Sequence, residues 1–485
     1  MEKRERLIAR MLSILGPQGV ISEHKQLRTY ECDGLTGYRA VPSLVVLPED
    51  AEGVRRAVEA CHAEGVPFVA RGSGTGLSGG ALAVEEGVLI VLARMRRIVD
   101  VDIANARVVV EPGVINLWVT EAVAPHGYYY APDPSSQLVC SIGGNVAENS
   151  GGAHCLKYGF TVNHVTGVEV VLADGAVVHL GGKAPDAPGY DLLGAFIGSE
   201  GTLGVATRVT LRVVRKPEAV RTLLAAFPSA DEAGAAVSGI IAAGIVPAAV
   251  EMMDALAIQA AEAAVHPGYP TDVGALLLAE LDGPAAEVEH QFVEVERLCR
   301  GEGATEIRIA RDDEERALFW KGRKSAFAAA GRLSPDYYVQ DGVIPRTALP
   351  AVLGEIARLG AARGLRVANV FHAGDGNLHP LVLYDGQITG QAEEAEELAG
   401  EILQTCLDYG GSITGEHGVG ADKKKYMPRM FSDADMDTMQ LVRCAFDPAH
   451  LCNPGKVFPT PRLCGEVPGP YHAHPLEAAG LAERL

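Results

Sequence analysis

Two histidine motifs in the second half of the chain carry residue types suited to metal-assisted proton transfer. The first, VFHAGDGNLHP, places His372 and His379 on either side of a Gly-Asp-Gly turn, and the second, GSITGEHGVG, sets Glu416 beside His417. Two imidazoles and one carboxylate form a borderline donor set that fits Zn²⁺, Mn²⁺ or Fe²⁺ with coordination positions left for a substrate. Any one of these histidines taken alone reads as a satisfied core or surface residue. It is the pairing of two glycine-bounded histidine motifs with a carboxylate that points to a site. The long separation between the motifs leaves their geometry to the fold.

A second chemistry stands in the first half. RGSGTGLSGG, Arg71 to Gly80, follows an apolar strand pattern. Its glycines lack a Cβ and reach positive φ, so successive backbone N–H groups can converge on an anion, with Ser73, Thr75 and Ser78 adding hydroxyl donors. A pyrophosphate is the predicted guest, and a tight turn is the plain alternative for such a loop taken alone. No Gly-Lys-Ser/Thr follows, which excludes a Walker A loop. The glycine register and the lack of a following helix argue against a Rossmann fingerprint. The loop itself then has to bind the phosphates.

The elements that must position these motifs can be traced by pattern. MEKRERLIARMLSILG reads as an amphipathic surface helix. Its apolar stretch is broken by Arg10 and closes at Gly16-Pro17 without a small-residue cleavage site, unlike a signal peptide. Val41 to Pro48, Val66 to Ala70, Val88 to Leu92 and Arg107 to Gly113 read as strands. A helix capped by Asp50 runs to Cys61, and another is expected from Val114 to His126. Ala131 to Gly152 is turn-rich yet apolar at Leu138, Val139, Ile142 and Val146, which predicts an ordered, irregular, functional stretch. Val165 to Leu180 reads as a hairpin turning at Asp174-Gly175, and Gly198 to Val214 as a glycine-rich turn entering an alternating strand. Lys216-Pro217 marks a boundary. Beyond it, strands such as Ala275 to Leu281 alternate with helices such as AFPSADEAGAAVSGIIAAG and VEHQFVEVERLCR, which predicts an α+β domain on an antiparallel sheet.

Bulk properties narrow the function classes. A chain of 485 residues with 42 Lys+Arg against 62 Asp+Glu has a formal charge of −20. That predicts two or three domains and repulsion of nucleic acid and anionic lipid. It does not exclude an anionic substrate, because a site can hold its own cations. The nine cysteines are scattered and form no CxxC pair, which disfavours a disulfide framework, a zinc ribbon or an iron–sulfur cluster held by this chain, and favours a reduced cytoplasm. No apolar run is long enough to span a membrane.

Taken together, the first loop, PDPSSQLVCSIGGNVAENSGG, KYG at Lys157 to Gly159, IGSEGTLG at Ile197 to Gly204, and NPGKVFP at Asn453 to Pro459 resemble the FAD-linked oxidases of the vanillyl-alcohol oxidase/p-cresol methylhydroxylase fold. The resemblance runs from about Val41 to Pro459, with five motifs in family order. It implies an α+β architecture: a helical segment over 1–40, an FAD-binding domain over 41–216, a substrate (cap) domain with an antiparallel sheet over 217–460 whose last segment returns to the flavin, and a tail over 461–485. It implies that Arg71, Gly72, Ser73, Gly74, Thr75, Gly76, Leu77, Ser78 and Gly79 hold the FAD pyrophosphate. Pro132, Asp133, Ser136, Gly143, Gly144, Asn145, Asn149, Ser150, Gly151, Gly152, Glu200, Gly201 and Val205 line the rest of the cofactor, and Asn453 reaches it from the C-terminal segment. Because the first loop has no histidine, cysteine or tyrosine, FAD is expected to be non-covalent, with His154 and Cys155 the remaining candidates for a tether.

Within that fold the histidine motifs resemble the D-2-hydroxy-acid dehydrogenase branch, and SPDYYVQDGVIPR (Ser334 to Arg346) is most similar to the FAD subunit of the bacterial glycolate oxidase type. The resemblance implies His372, His379 and Glu416 as ligands of a divalent metal, His417 as catalytic base, and Arg323, in FWKGRKSAF, as the arginine that binds the substrate carboxylate. It implies oxidation of a small D-2-hydroxy acid, glycolate or D-lactate, to the 2-keto acid. D-2-hydroxyglutarate or a longer acid, and non-redox flavin chemistry on the same fold, are the alternatives. Val339 and Leu381 stand where 2-hydroxyglutarate enzymes carry a lysine and an asparagine, which favours a small substrate with one carboxylate. As for partners, the resemblance implies a second FAD-fold subunit and an iron–sulfur subunit, with no nucleic acid and no transmembrane segment. A homodimer, and membrane association through partner subunits, stay open.

Overall fold

The computed structural model describes residues 3–184 and 188–459; the tail expected over 461–485 lies outside them. The described strands form three large sheets and a two-stranded pair, Tyr128–Tyr129 with Val214–Arg215. The first runs Val20–Ile21, Leu44–Val46, Val88–Val91, Phe68–Arg71, with the last three strands parallel. Its strands are apolar on both faces because helix Ala51–Glu64 packs on one side, as buried parallel strands require. Asp50 accepts from the Gly53 N–H at 2.8 Å to start that helix, and Gly65, at φ 56°, stops it. The helix Lys3–Leu15 lays Leu7 and Met11 against it. The edge strand Phe68–Arg71 is completed from the far end of the chain: the Phe68 N–H donates to the Leu451 carbonyl and the Asn453 N–H to the Phe68 carbonyl, both at 2.8 Å.

The second sheet is antiparallel, in the order Ile98–Asp102, Arg107–Val110, Val205–Arg212, Val165–Val171, Val177–Gly181, and its last two strands form the hairpin that turns at Asp174-Gly175. The stretch Ala131 to Gly152 departs from the irregular structure expected. Ser141 caps a helix, Ile142–Glu148, that ends at Asn149 with φ 52°. Gly143 and Gly144 weaken helix propensity. Packing overrides it, since a Cβ on Gly143 would stand 2.7 Å from the Pro112 side chain, so the glycine admits a close crossing.

The third sheet is antiparallel and has nine strands. Glu306–Ile309, Ala219–Phe227, Ala275–Gly283, Ala249–Asp254 and Arg366–His372 lie side by side, and Asn377–Leu378, Gly342–Val343, Pro380–Tyr384 and Asp336–Val339 extend it past Arg366–His372. The two-residue period divides it into two buried faces. Leu223, Val250, Leu277 and Phe371 enter one core, and Leu224, Met253, Leu278 and Val370 enter the other. Onto the second face packs the helix Asp313–Ala329 through Phe319 and Trp320. That same face carries Thr222, Glu280, Glu251 and His372 in register: Thr222 opposes Glu280, and Glu251 opposes His372.

Among the described cysteines seven are free thiols, six of them buried. Cys444 is disulfide-bonded. No described helix is long and apolar enough to cross a membrane.

Candidate functional site

Strand pairing builds the histidine cluster. His372 ends its strand opposite Glu251, and its Nδ1 lies 2.8 and 2.9 Å from the two Glu251 oxygens. A carboxylate only accepts, so Nδ1–H is the donor and Nε2 is left facing the Glu416 Oε1 at 3.2 Å. The tight turn after His372 returns the chain so that His379 Nε2 also lies 3.2 Å from Glu416 Oε1. The donor atoms of His372, His379 and Glu416 all fall within 4.8 Å of one another. Burial opposes charge on His372, but Glu251 and Glu416 outweigh it and hold its pKa well above the usual range. Burial likewise opposes charge on Glu416, but His372 and His379 hold it well below.

The loop that presents Glu416 and His417 is held by two carboxylates. Asp341 accepts from the Thr414 hydroxyl (2.6 Å) and from the N–H groups of Gly415 (2.9 Å), Glu416 (3.1 Å) and His417 (2.8 Å), with Lys423 Nζ at 3.3 Å as its counter-charge. Glu200 accepts from the N–H groups of Val419 and Gly420, both at 2.6 Å. Ser78 of the glycine-rich loop donates to the His417 carbonyl at 2.8 Å. His417 thus sits where the glycine-rich loop and the nine-stranded sheet meet, stacked on His379 with ring centroids 4.8 Å apart and planes inclined by 8°. Burial lowers its pKa to about 4, with the Asp341 and Glu416 charges opposing, so the imidazole is neutral at pH 7 and can accept a proton.

A cavity of about 760 Å³ runs from the glycine-rich loop to this cluster. Of the residues expected around a cofactor, Arg71, Gly72, Ser73, Gly74, Thr75, Gly76, Leu77, Ser136, Gly143, Gly144, Asn145, Ser150, Glu200 and Gly201 line it, and Glu416 and His417 close one end. The glycines at the wall are spaces other atoms need: a Cβ on Gly72 would stand 2.1 Å from Ser141 Oγ, and one on Gly80 would stand 2.5 Å from Glu148 Oε1. Nine expected residues stand behind the wall. Ser78, Gly79, Asn149, Gly151, Gly152 and Val205 shape the loops. Pro132 supplies a carbonyl to the Asn116 amide at 3.2 Å, and the Asn453 amide donates to the carbonyls of Gly80 (2.8 Å) and Glu200 (2.6 Å). Asp133 lies 3.0 Å from His154 Nδ1 and 3.3 Å from Lys324 Nζ.

Arg323 is also set back. Its guanidinium is buried 2.5 Å from Glu251 Oε2 and does not reach the cavity wall. Neither His154 nor Cys155 lines the cavity. His154 instead bridges Asp133 and Glu280 (3.3 Å), and Glu280 accepts from Thr222 (2.6 Å) and Trp320 (2.7 Å).

Sequence pattern alone missed Glu251, Glu280, Asp341, Lys324 and Glu148. A signal was present for the first two: each is a single acid inside an otherwise apolar strand, AVEMM and ALLLAEL, and a buried acid in a strand needs a partner. Glu148, at the cavity wall, is pushed well above the usual carboxyl range by burial and by Glu200.

The chain matches two protein families, "FAD binding domain" over residues 42–181 and "FAD linked oxidases, C-terminal domain" over residues 216–457. It is 53% identical to the glycolate oxidase subunit GlcD of Escherichia coli (strain K12), covering 94% of this chain and 91% of that protein. It is 38% identical to the subunit of the same name from Bacillus subtilis (strain 168), over 92% and 96%. It is 31% identical to a probable mitochondrial D-lactate dehydrogenase of Danio rerio, over 94% and 92%. Among solved structures, p-cresol methylhydroxylase with substrate bound superposes with a TM-score of 0.79 at 16% identity, over 94% of this chain and 96% of that one. The 4-ethylphenol oxidase of Gulosibacter chungangensis gives 0.78 at 19%, over 95% and 98%.

Proposed function

We propose, from the premise that this chain belongs to the FAD-linked oxidases, that it oxidises glycolate or D-lactate to the matching 2-keto acid, with His417 as the base. One observation supports this reading above others. A neutral, buried imidazole closes a glycine-lined cavity beside a His-His-Glu cluster whose donor atoms converge. The cavity residues fit FAD, because the glycine-rich loop from Arg71 to Leu77 and the segment Gly143 to Asn145 line one cavity of about 760 Å³. The cluster fits a divalent metal, because Glu416 Oε2 and both His379 nitrogens are buried without a hydrogen-bond partner while lying among the other donors.

Bound there, FAD supplies the acceptor for the substrate hydride and the metal a Lewis acid for its hydroxyl. His372, His379 and Glu416 hold the metal. His417 takes the hydroxyl proton, and Asp341 and Glu200 fix the loop that aims it. Glu251, paired with Arg323, keeps the His372 Nε2 turned toward Glu416. Val339, at the cavity wall, and buried Leu381 add no polar group, which suits a small acid over a second carboxylate. The chain works beside partner subunits that take its electrons, a reading supported by relatives named as a subunit.

The test is anaerobic mixing of the metal-loaded flavoprotein with glycolate, D-lactate, L-lactate and D-2-hydroxyglutarate. Bleaching of the flavin by glycolate or D-lactate and not by L-lactate is expected. A yellow protein that no hydroxy acid bleaches refutes the reading.

A further inference from the structure

We propose that Glu148 donates a hydrogen bond from its carboxyl O–H to the isoalloxazine ring of the bound flavin, and so sets how readily the ring accepts a hydride. This rests on the FAD reading of the cavity and deepens it. Glu148 is the last residue of the helix Ile142–Glu148, which the left-handed turn at Asn149 ends. It lines the cavity with Gly76, Gly80, Glu200, Glu416 and His417. This is the end where the substrate hydroxyl meets His417, and a hydride leaving the substrate carbon can reach only a ring held at the same end. The loop and the carboxyl are in close contact, since a Cβ on Gly418, next after His417, would run into Glu148 Oε2.

Two glycines show that Glu148 is paired with Glu200. A Cβ on Gly80 would stand 2.5 Å from Glu148 Oε1 and 3.3 Å from Glu200 Oε2, and the one on Gly418 would stand 2.9 Å from Glu200 Oε1 as well as against Glu148 Oε2. The two carboxyls therefore lie side by side. Two such groups sharing one buried site do not both ionise. The proton falls to Glu148. Each Glu200 oxygen already accepts a backbone N–H at 2.6 Å, from Val419 and from Gly420, whereas Glu148 Oε2 is buried with no hydrogen-bond partner. Burial raises both groups. The two N–H donors, Lys423 and Lys456 hold Glu200 back, while Glu200, Asp33 and Asp341 push Glu148 further up against the pull of Lys423. Lys423 itself is drawn to Asp341, at 3.3 Å.

An un-ionised carboxyl can donate, whereas a carboxylate only accepts. A flavin ring gains negative charge as it takes a hydride. An O–H aimed at its acceptor atoms then favours the reduced form, and a carboxylate in the same place would oppose it. Glu200 thus acts on the cofactor through its neighbour: its fixed charge keeps the proton on Glu148. The oxygen toward the glycine-rich loop is Oε1, 3.8 Å from where a Cβ on Gly76 would stand. A carboxylic acid kept neutral by its surroundings so that it can donate is a known device for stabilising charge that develops on a bound ring.

The experiment uses the FAD-loaded protein with Glu148→Leu, which removes the donor, and Glu148→Gln, which keeps an N–H donor in the same shape. The two-electron potential of the flavin is measured by equilibration with a reference dye, with no hydroxy acid present. Loss of one charge-assisted contact predicts that Glu148→Leu shifts the equilibrium about ten-fold toward oxidised flavin, about 30 mV for a two-electron couple, and that Glu148→Gln recovers most of it. The reduced-minus-oxidised infrared difference spectrum of the wild type is expected to show the carbonyl stretch of an un-ionised carboxylic acid, shifted by reduction and missing in Glu148→Gln. A Glu148→Leu protein with full FAD content and the wild-type potential overturns the proposal. So does a wild-type infrared spectrum without that stretch, which keeps the test intact if Glu148→Leu fails to fold. A chain that takes up no FAD overturns the flavin reading and this proposal with it. A flavoprotein that no hydroxy acid bleaches overturns the substrate reading alone, because the dye titration does not depend on it.

Discussion

Glu251 and His372 face each other across two antiparallel strands, with both carboxylate oxygens within 2.9 Å of the imidazole Nδ1. Strand register therefore fixes the tautomer of one ligand of the proposed metal. An orienting carboxylate behind a ligating histidine typically governs metal affinity by about 10–100-fold. Glu251→Gln keeps the shape and removes the charge. It is expected to weaken metal binding by about that factor, measured by competition with a chelator, while FAD absorbance is retained. Unchanged affinity would show that strand pairing alone orients His372.

His417 closes the cavity and stacks on His379. His417→Ala is expected to keep the fold and FAD but slow anaerobic flavin reduction by about 10²–10⁴-fold, the usual worth of a positioned base. Stopped-flow reduction at the wild-type rate would remove His417 from that role.

Asp341 gathers four donors from the Thr414–His417 loop, and burial, which opposes its charge, is overcome by Lys423 and His417, so that its carboxyl sits well below the usual range. Asp341→Asn exchanges the carboxylate for a weaker acceptor and leaves Lys423 without its counter-charge. We expect kcat to fall, and stability in denaturant titrations to drop by roughly 3–5 kcal/mol. A variant with wild-type kcat would show that Glu200 and Ser78 suffice to hold the loop.

His154 carries a pH signature. It faces Asp133 and Glu280, with Lys324, Arg316 and the Trp320 ring around them. Its pKa is raised from 6.5 to about 10 on folding, so its stabilising contribution is complete below pH 6.5 and declines as pH rises toward 10. His154→Gln should therefore be less stable than wild type by roughly 3–5 kcal/mol at pH 6, with the gap narrowing between pH 8 and 10 in denaturant titrations. A gap independent of pH would mean that His154 acts through shape alone.

Much of the fold could be read along the chain because it rests on local periodicity. The Asp50 cap, the Asp174-Gly175 hairpin and the strand at Ala275 to Leu281 each follow from neighbouring residues, and each is present in the structure. The helix Ile142–Glu148 was not readable, because its Gly143 is set by contact with Pro112, far back in the chain.

The same division runs through the site. Sequence alone determined which residues could do chemistry: the glycine-rich loop for phosphates, the two histidine motifs for a metal and a proton. It did so because backbone access and donor type are properties of the residues themselves. Only the tertiary structure decided which of them meet and what each side chain is free to do. His372 reaches Glu416 because Glu251 pairs with it across the sheet, and His417 reaches the cavity because Asp341 and Glu200, far from it and from each other in sequence, hold its loop. Arg323 and Lys324 are adjacent in the chain and alike in charge. On a helix, neighbours point about 100° apart, so one is buried against Glu251 and the other lines the cavity.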